Sequence, residues 1–148
     1  MSDSEENDLL YVCSLIEYTA RVTCNRRSDV VKMMGKKELA WQLEFVDVSH
    51  CLPFEQTADE LIDKFDIQKG SFDSIGECKY DVPSYIAIGG LYRRLITQVM
   101  DSIDDVVDVM YEVFCSFISD EVSNFNSSLY YNNPDYIKHS YLSGRLLP

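Results

Sequence analysis

Apolar residues between positions 84 and 118 recur at intervals of three or four, over a longer stretch than anywhere else in the chain. This spacing places them on one side of a helix and is typical of a buried stripe. The positions are Tyr85, Ile88, Tyr92, Leu95, Val99, Ile103, Val106, Met110, Val113 and Phe117. We therefore expect the stretch to organise the core.

One straight helix over 84–118 would be roughly 50 Å long, which is more than a compact domain of this size can accommodate. The stretch is therefore predicted to form two helices or one kinked helix. The joint is expected near 100–103, because Asp101 and Ser102 offer a helix cap there. Two glycines, Gly89 and Gly90, are either a second weak point or a place where a neighbouring helix approaches closely.

Shorter helical patterns lie on both sides of this stretch. They predict helices over about 8–23, 28–34, 36–48 and 54–65, and a short last helix that ends at Gly144. The third of these is expected to be central, because Trp41, Phe45 and Val48 give it a second apolar side.

Three segments lack such a pattern. We expect a frayed acidic N-terminus at 1–7, a long loop at 66–82 and a tyrosine-rich tail at 126–148. The predicted fold is all-α, a single-domain helical bundle of five to seven helices that covers residues 1–148.

Composition limits the cellular locations and the classes of partner that we expect for the protein. The formal net charge of −12 means that nucleic acid and anionic lipid repel the chain. Five cysteines are scattered and odd in number, and the N-terminal residues carry no signal-peptide pattern, so a reducing, cytoplasmic location is expected. No apolar run approaches the roughly 18 residues of a membrane span.

Acidic residues cluster in the second half of the organising stretch. No Lys or Arg lies between positions 95 and 137 to relieve them. Spacings of three and four predict that they share one helical face, and these residues are Asp101, Asp104, Asp105, Asp108 and Glu112. Three interpretations stay open: a solvated face, a docking surface for a basic partner or for the chain's own basic segment, and a divalent-metal site.

Basic residues concentrate earlier, between positions 26 and 45. The residues are Arg26, Arg27, Lys32, Lys36 and Lys37. A short helix, Gly35 and a second helix give this segment the outline of a helix–turn–helix, in which Lys36, Lys37 and Gln42 would contact DNA. A solvated face and an internal complement to the acids are the alternatives, and the acidic net charge favours them.

Catalytic signatures are absent from the sequence. His50 and Cys51 are adjacent, and neighbours in sequence seldom form a nucleophile–base pair. There is no glycine-rich phosphate loop, no serine elbow and no HExxH motif. We expect neither catalysis, nor a cofactor, nor a metal site.

Three short motifs carry a resemblance over residues 9–65. They are Ser14-Leu15-Ile16-Glu17, Val46-Asp47-Val48-Ser49-His50 and Ala58-Asp59-Glu60-Leu61-Ile62. This pattern resembles a family of small, uncharacterised bacterial helical proteins that are often encoded beside ADP-ribosyltransferase-like toxins. The resemblance implies an antitoxin-like, immunity or accessory role.

These observations predict a non-catalytic protein–protein interaction module that uses the five acids to bind a protein with a basic surface. The resemblance implies a toxin as that partner, and homo-oligomerisation stays open. Two other functions are retained: an acidic mimic or regulator of nucleic-acid-binding machinery, and a DNA-binding regulator that uses the segment 26–45.

Overall fold

A computed structural model describes residues 1–76, 78–79, 81–125 and 129–148, so the predicted loop 66–82 and tail 126–148 lie partly outside the described residues. The described residues are helical and contain no strand, which confirms the all-α prediction. They form eight α-helices rather than five to seven, because short segments such as α3 are separate helices. The helices are α1 Asp3–Thr23, α2 Arg27–Glu44, α3 Val46–Ser49, α4 Phe54–Phe65, α5 Tyr85–Val99, α6 Val106–Phe114, α7 Phe117–Ser123 and α8 Pro134–Ser143.

Helix α1 lies at the centre of the bundle and packs against α5, α2, α4 and α3. Its fully buried side chains include Leu9, Val12, Leu15 and Ile16. Burial of an aliphatic side chain of this size contributes about 1.5–3 kcal/mol, so this face alone stabilises the fold strongly. None of the described helices has the length and apolar character needed to cross a lipid bilayer.

Close packing of α1 on α5 depends on Gly89. A Cβ atom at this position would lie 2.2 Å from Ser14 Oγ and 2.8 Å from the Ser14 backbone nitrogen. Only glycine allows the two backbones to approach this closely. The second interpretation of the glycine pair is therefore confirmed at Gly89, which lies inside an unbroken helix.

The stretch 84–118 is divided between α5, α6 and the start of α7. Helix α5 ends at Val99 and α6 begins at Val106, so the predicted joint near 100–103 is confirmed, although it is longer than predicted. Met100 adopts an extended backbone conformation that ends the helix. The break removes Ile103 from the buried stripe and leaves it 92 % exposed.

The prediction of a frayed N-terminus at 1–7 is wrong. Helix α1 begins at Asp3, and a capping box joins Ser2 to Glu5. The Glu5 backbone nitrogen donates to Ser2 Oγ at 3.2 Å, and the Ser2 backbone nitrogen donates to Glu5 Oε1 at 3.4 Å. Acids in the first turn also interact favourably with the helix dipole.

The two helices predicted on either side of Gly35 form one kinked helix, α2, with Gly35 at φ 76°. The prediction that its second half is central is wrong. Trp41 is 47 % exposed and Val48, in α3, is 65 % exposed, because α1 occupies the centre instead. The bounds of α4 and the end of α8 at Gly144 agree with the predictions.

Candidate functional site

A groove of about 520 Å³ lies between α6 and α8, beside the connection that joins α5 to α6. Four of the five predicted acids line it, and we call it the acidic groove. These acids are Asp104, Asp105, Asp108 and Glu112. The structure thus brings most of the predicted partner-binding residues to one concave surface.

The prediction that the five acids share one helical face is wrong. Asp101 and Asp104 lie in the connection before α6, and Asp101 does not line the groove. Only Asp108 and Glu112 project from consecutive turns of α6. The reason is the break after α5, which the charge pattern alone does not reveal.

Two of the acids also stabilise the start of α6. Asp105 is its N-cap residue, and Asp105 Oδ1 accepts a hydrogen bond from the Val107 backbone nitrogen at 2.8 Å. Asp104 Oδ2 accepts from the Asp101 backbone nitrogen at 2.8 Å. Asp108 and Glu112 make no such backbone bond in the described chain, so capping does not account for their position.

Exposed apolar side chains accompany the acids in the groove. Ile103 is 92 % exposed and Leu142 is 59 % exposed, and both line the groove together with Tyr141. Burial raises the pKa of Tyr141, and the negative charge of Glu112 raises it further. The surface is therefore both negatively charged and apolar.

One acid of the groove has an internal partner. Lys36 Nζ lies 3.0 Å from Asp108 Oδ1, and both side chains are more than half exposed. The hydrogen bond and the charge of Asp108 raise the pKa of Lys36. Within the described residues no ion pair reaches Asp104, Asp105 or Glu112, so the chain's own basic segment neutralises only a small part of the groove.

The predicted basic surface is not one surface. Arg27 is 3 % exposed, so its placement among the surface residues is wrong. Arg26 is exposed and pairs with Asp120, with 2.9 Å between Nη1 and Oδ1. Lys32, Lys36 and Lys37 are exposed. The basic segment therefore divides between the interior and the surface.

Arg27 belongs to a cluster that we call the buried ion-pair network, formed by Glu17, Arg21 and Arg27. Arg27 Nε donates to Glu17 Oε2, and Arg21 Nε donates to Glu17 Oε1 at 2.8 Å. Arg27 Nη1 also donates to the Ser119 carbonyl oxygen at 3.1 Å, which connects α7. The network joins α1, α2 and α7, so it has a structural role.

Burial and charge act in opposite directions on Arg27. Burial alone would lower the pKa of this guanidinium, but the charges of Glu17 and Tyr92 and their hydrogen bonds raise it, and the net shift is upward. Arg27 therefore stays charged inside the protein. The sequence contained one signal for this network: Glu17 falls on the apolar side of α1, four residues after Cys13 and three before Ala20.

The helix–turn–helix outline at 26–45 does not provide the expected contacts. Gln42, one of the three predicted DNA contacts, is 4 % exposed. Glu38 is also buried, with Oε1 3.0 Å from Lys64 Nζ. Of the predicted contact residues only Lys36 and Lys37 remain on the surface, and Lys36 is paired with Asp108.

Part of the predicted loop 66–82 is fixed to the end of α1. The Gly70 backbone nitrogen donates to the Thr23 carbonyl at 2.8 Å, and the Phe72 nitrogen donates to the Cys24 carbonyl at 2.9 Å. Arg26 lies over the Phe72 ring, 5.0 Å from its centroid. These contacts give the described part of the loop a structural role.

The described residues contain no group of three or more His, Cys, Asp and Glu side chains placed to hold a metal ion. Cys13 is buried, and burial raises the pKa of its thiol. Cys51 is exposed, and its neighbour His50 packs against the Tyr11 ring.

No family model, curated protein or solved structure matches the chain. The resemblance of residues 9–65 to small bacterial helical proteins is not tested by these comparisons and stays a prediction.

Proposed function

We propose that the chain is a non-catalytic protein–protein interaction module whose acidic groove binds a basic, amphipathic segment of a partner protein. The observation that carries this proposal is the combination of four acids with Ile103, which is 92 % exposed, on one concave surface.

The negative charge and the exposed apolar side chains of the groove support the same class of partner. Three of the four acids have no ion pair in the described chain, so their field attracts cationic side chains and raises the rate of association. Apolar side chains of the partner would cover Ile103 and Leu142. An amphipathic helix that places Lys or Arg beside Leu satisfies both requirements.

The most specific version of this function is antitoxin-like. It rests on the resemblance of residues 9–65 and on the acidic groove, which would bind a basic surface of the toxin. In that version the protein acts in the cytoplasm and inhibits a toxin by stoichiometric binding through the groove.

The exposed apolar residues favour this function over an acidic mimic of nucleic acid. A mimic needs negative charge at phosphate-like spacing, whereas Ile103 and Leu142 would contribute nothing to it. The DNA-binding alternative is weakened because Arg27 and Gln42 are buried.

A synthetic helical peptide of Lys and Leu, with Leu at intervals of three and four, tests the groove directly. Fluorescence anisotropy at two salt concentrations should give saturable binding that weakens with salt. The same peptide with Glu in place of Lys should not bind. Asp108→Asn with Glu112→Gln should weaken binding of the Lys–Leu peptide.

The matched control is Asp59→Asn with Asp63→Asn on α4. It removes the same charge from exposed positions at the same helical spacing, away from the groove. Equal losses in the two double variants would show that net charge alone attracts the peptide, and would contradict the proposal.

The antitoxin-like version has its own test. A toxin encoded beside this chain should lose its activity when one equivalent of the protein is added. The variant Asp108→Asn with Glu112→Gln should require a large excess. Full inhibition by the variant at one equivalent would exclude the acidic groove as the inhibitory surface.

A further inference from the structure

A second cavity, of about 450 Å³, lies where the start of α5 meets α1 and α4. Helix α5 has 15 residues, so this cavity and the acidic groove are about 20 Å apart along its axis. The volume is within the range of small-molecule sites. We call it the aromatic cavity.

Three aromatic residues, each from a different helix, form its walls: Tyr11, Phe54 and Tyr85. Their rings contact one another, with centroids 5.2 Å apart for Tyr11 and Phe54 and 5.1 Å apart for Phe54 and Tyr85. The second pair is stacked, and the first pair meets edge to face. Aromatic rings pair by stacking or by edge-to-face contact, so walls of this kind suit a flat aromatic ligand.

Aliphatic side chains complete the walls. Leu10 projects from α1, Leu52 precedes α4, and Ile86 projects from the first turn of α5. Ile86 is 53 % exposed and Leu52 is 37 % exposed, so both stand at the rim. Apolar walls with aromatic faces favour a ligand that is largely apolar.

Ser14 lies at the floor of the cavity. Its Oγ is buried without a hydrogen-bond partner in the described chain and packs against Gly89, where a Cβ atom would lie 2.2 Å from it. The contact between α1 and α5 therefore closes the floor, and the polar groups available to a ligand are those of the mouth.

The mouth of the cavity is polar and has a negative environment. Asn7 and His50 stand there, and their side chains form no hydrogen bond with other described residues. No Lys or Arg lines the cavity. Asp8 interacts electrostatically with Asp47 and with His50, so acidic groups lie near the mouth and disfavour an anionic ligand.

We propose that the aromatic cavity binds a small, flat aromatic molecule that carries no negative charge. The polar groups at the mouth would fix its orientation. This site is independent of the acidic groove, because the two share no lining residue.

Three probes of equal ring size test the proposal: indole, tryptamine and indole-3-acetate. Titrations followed by protein NMR shifts should show that indole and tryptamine bind saturably, with shifts concentrated at the start of α5. Indole-3-acetate should bind at least about tenfold more weakly than indole, a difference of about 1.4 kcal/mol.

Ile86→Asp introduces a charge into the wall at an exposed position, so the fold should tolerate it. It should weaken indole binding at least about tenfold. The control is Ile103→Asp, which makes the same substitution at the exposed isoleucine of the acidic groove and should leave indole binding unchanged. If Ile86→Asp lowers the melting temperature, the same binding test should be made with Leu52→Asp, a substitution at the rim.

Several results would overturn the proposal. They are the absence of saturable binding by indole, unchanged indole affinity in a folded Ile86→Asp variant, and tighter binding of indole-3-acetate than of indole. Displacement of indole by the Lys–Leu peptide would also overturn it, because the cavity would then belong to the partner-binding surface. Failure of peptide binding alone would affect only the proposed function.

Discussion

In the buried ion-pair network one carboxylate binds two guanidinium groups, whereas in the acidic groove one carboxylate of four forms an ion pair within the described residues. Glu17 is 1 % exposed and its charge is compensated within the core. Asp108 and Lys36 are more than half exposed, and water screens their interaction. The first cluster joins helices, and the second leaves negative charge available to a partner.

This comparison shows that a high density of charged residues in the sequence does not reveal whether those residues have a structural role. Asp101 and the four acids of the groove are conspicuous, because these five residues occur within twelve positions, 101–112. Glu17 is a single acid among apolar residues, yet removal of Arg27 would leave this buried charge with one remaining guanidinium partner, Arg21.

Arg27→Met should give the largest effect. It leaves the Glu17 carboxylate with only Arg21 inside the core, and loss of one partner of a buried ion pair costs about 3–5 kcal/mol. Denaturant unfolding measures the change in the free energy of unfolding. Arg26→Met is the matched control, since the adjacent arginine is exposed and its loss should change stability by at most about 0.5 kcal/mol.

Equal stability of the two variants would remove the contrast, because Arg27 would then behave as a surface residue.

Tyr92 should produce an alkaline loss of stability. Burial raises its pKa to about 12, and the hydroxyl donates to Ser119 Oγ at 2.9 Å. In the unfolded chain tyrosine ionises near pH 10. Between these values the unfolded state releases the proton first, so stability falls as pH rises from about 10 to about 12, by about 2–3 kcal/mol in total.

Tyr92→Phe should have a smaller loss over this pH range, measured as the difference between two unfolding series. A parallel pH dependence in both proteins would mean that the hydroxyl of Tyr92 ionises as easily in the folded state as in the unfolded one.

In the acidic groove the expected change is in binding rather than in stability. Asp108→Asn with Glu112→Gln removes like charges from consecutive turns of α6, so the melting temperature should stay the same or rise slightly. Association with a basic partner or the Lys–Leu peptide should be slower at low salt, as stopped-flow kinetics would show. Unchanged association rates at both salt concentrations would identify the groove as a merely solvated surface.

Lys36→Gln should have the smallest effect. The pair with Asp108 is exposed at both ends, so its loss should leave the melting temperature unchanged. Release of Asp108 from its internal partner should modestly tighten binding of the basic peptide. Lys37→Gln, which removes the same charge from a neighbouring exposed position, is the control, and equal tightening in both would exclude competition by Lys36.

Local pattern in the sequence was sufficient for much of the helical organisation. It placed α4 correctly, located the break after Val99 and put the end of the last helix at Gly144. Helix periodicity, caps and glycine at positive φ act over three to five residues, so neighbouring residues carry the information. The capping box of Ser2 and Glu5 is equally local, since it consists of a serine followed three residues later by a glutamate.

Which side of each helix is buried depends on contacts with other helices, and these contacts are visible only in the tertiary structure. Arg26 and Arg27 are identical and adjacent, yet one is exposed and the other lies beside Glu17. Ser14 meets Gly89, 75 positions away; the glycine pair indicated a possible close approach, but nothing near it identified Ser14 as the neighbour. Burial and pairing depend on helices distant in sequence, so periodicity identifies an apolar face but does not reveal its neighbour.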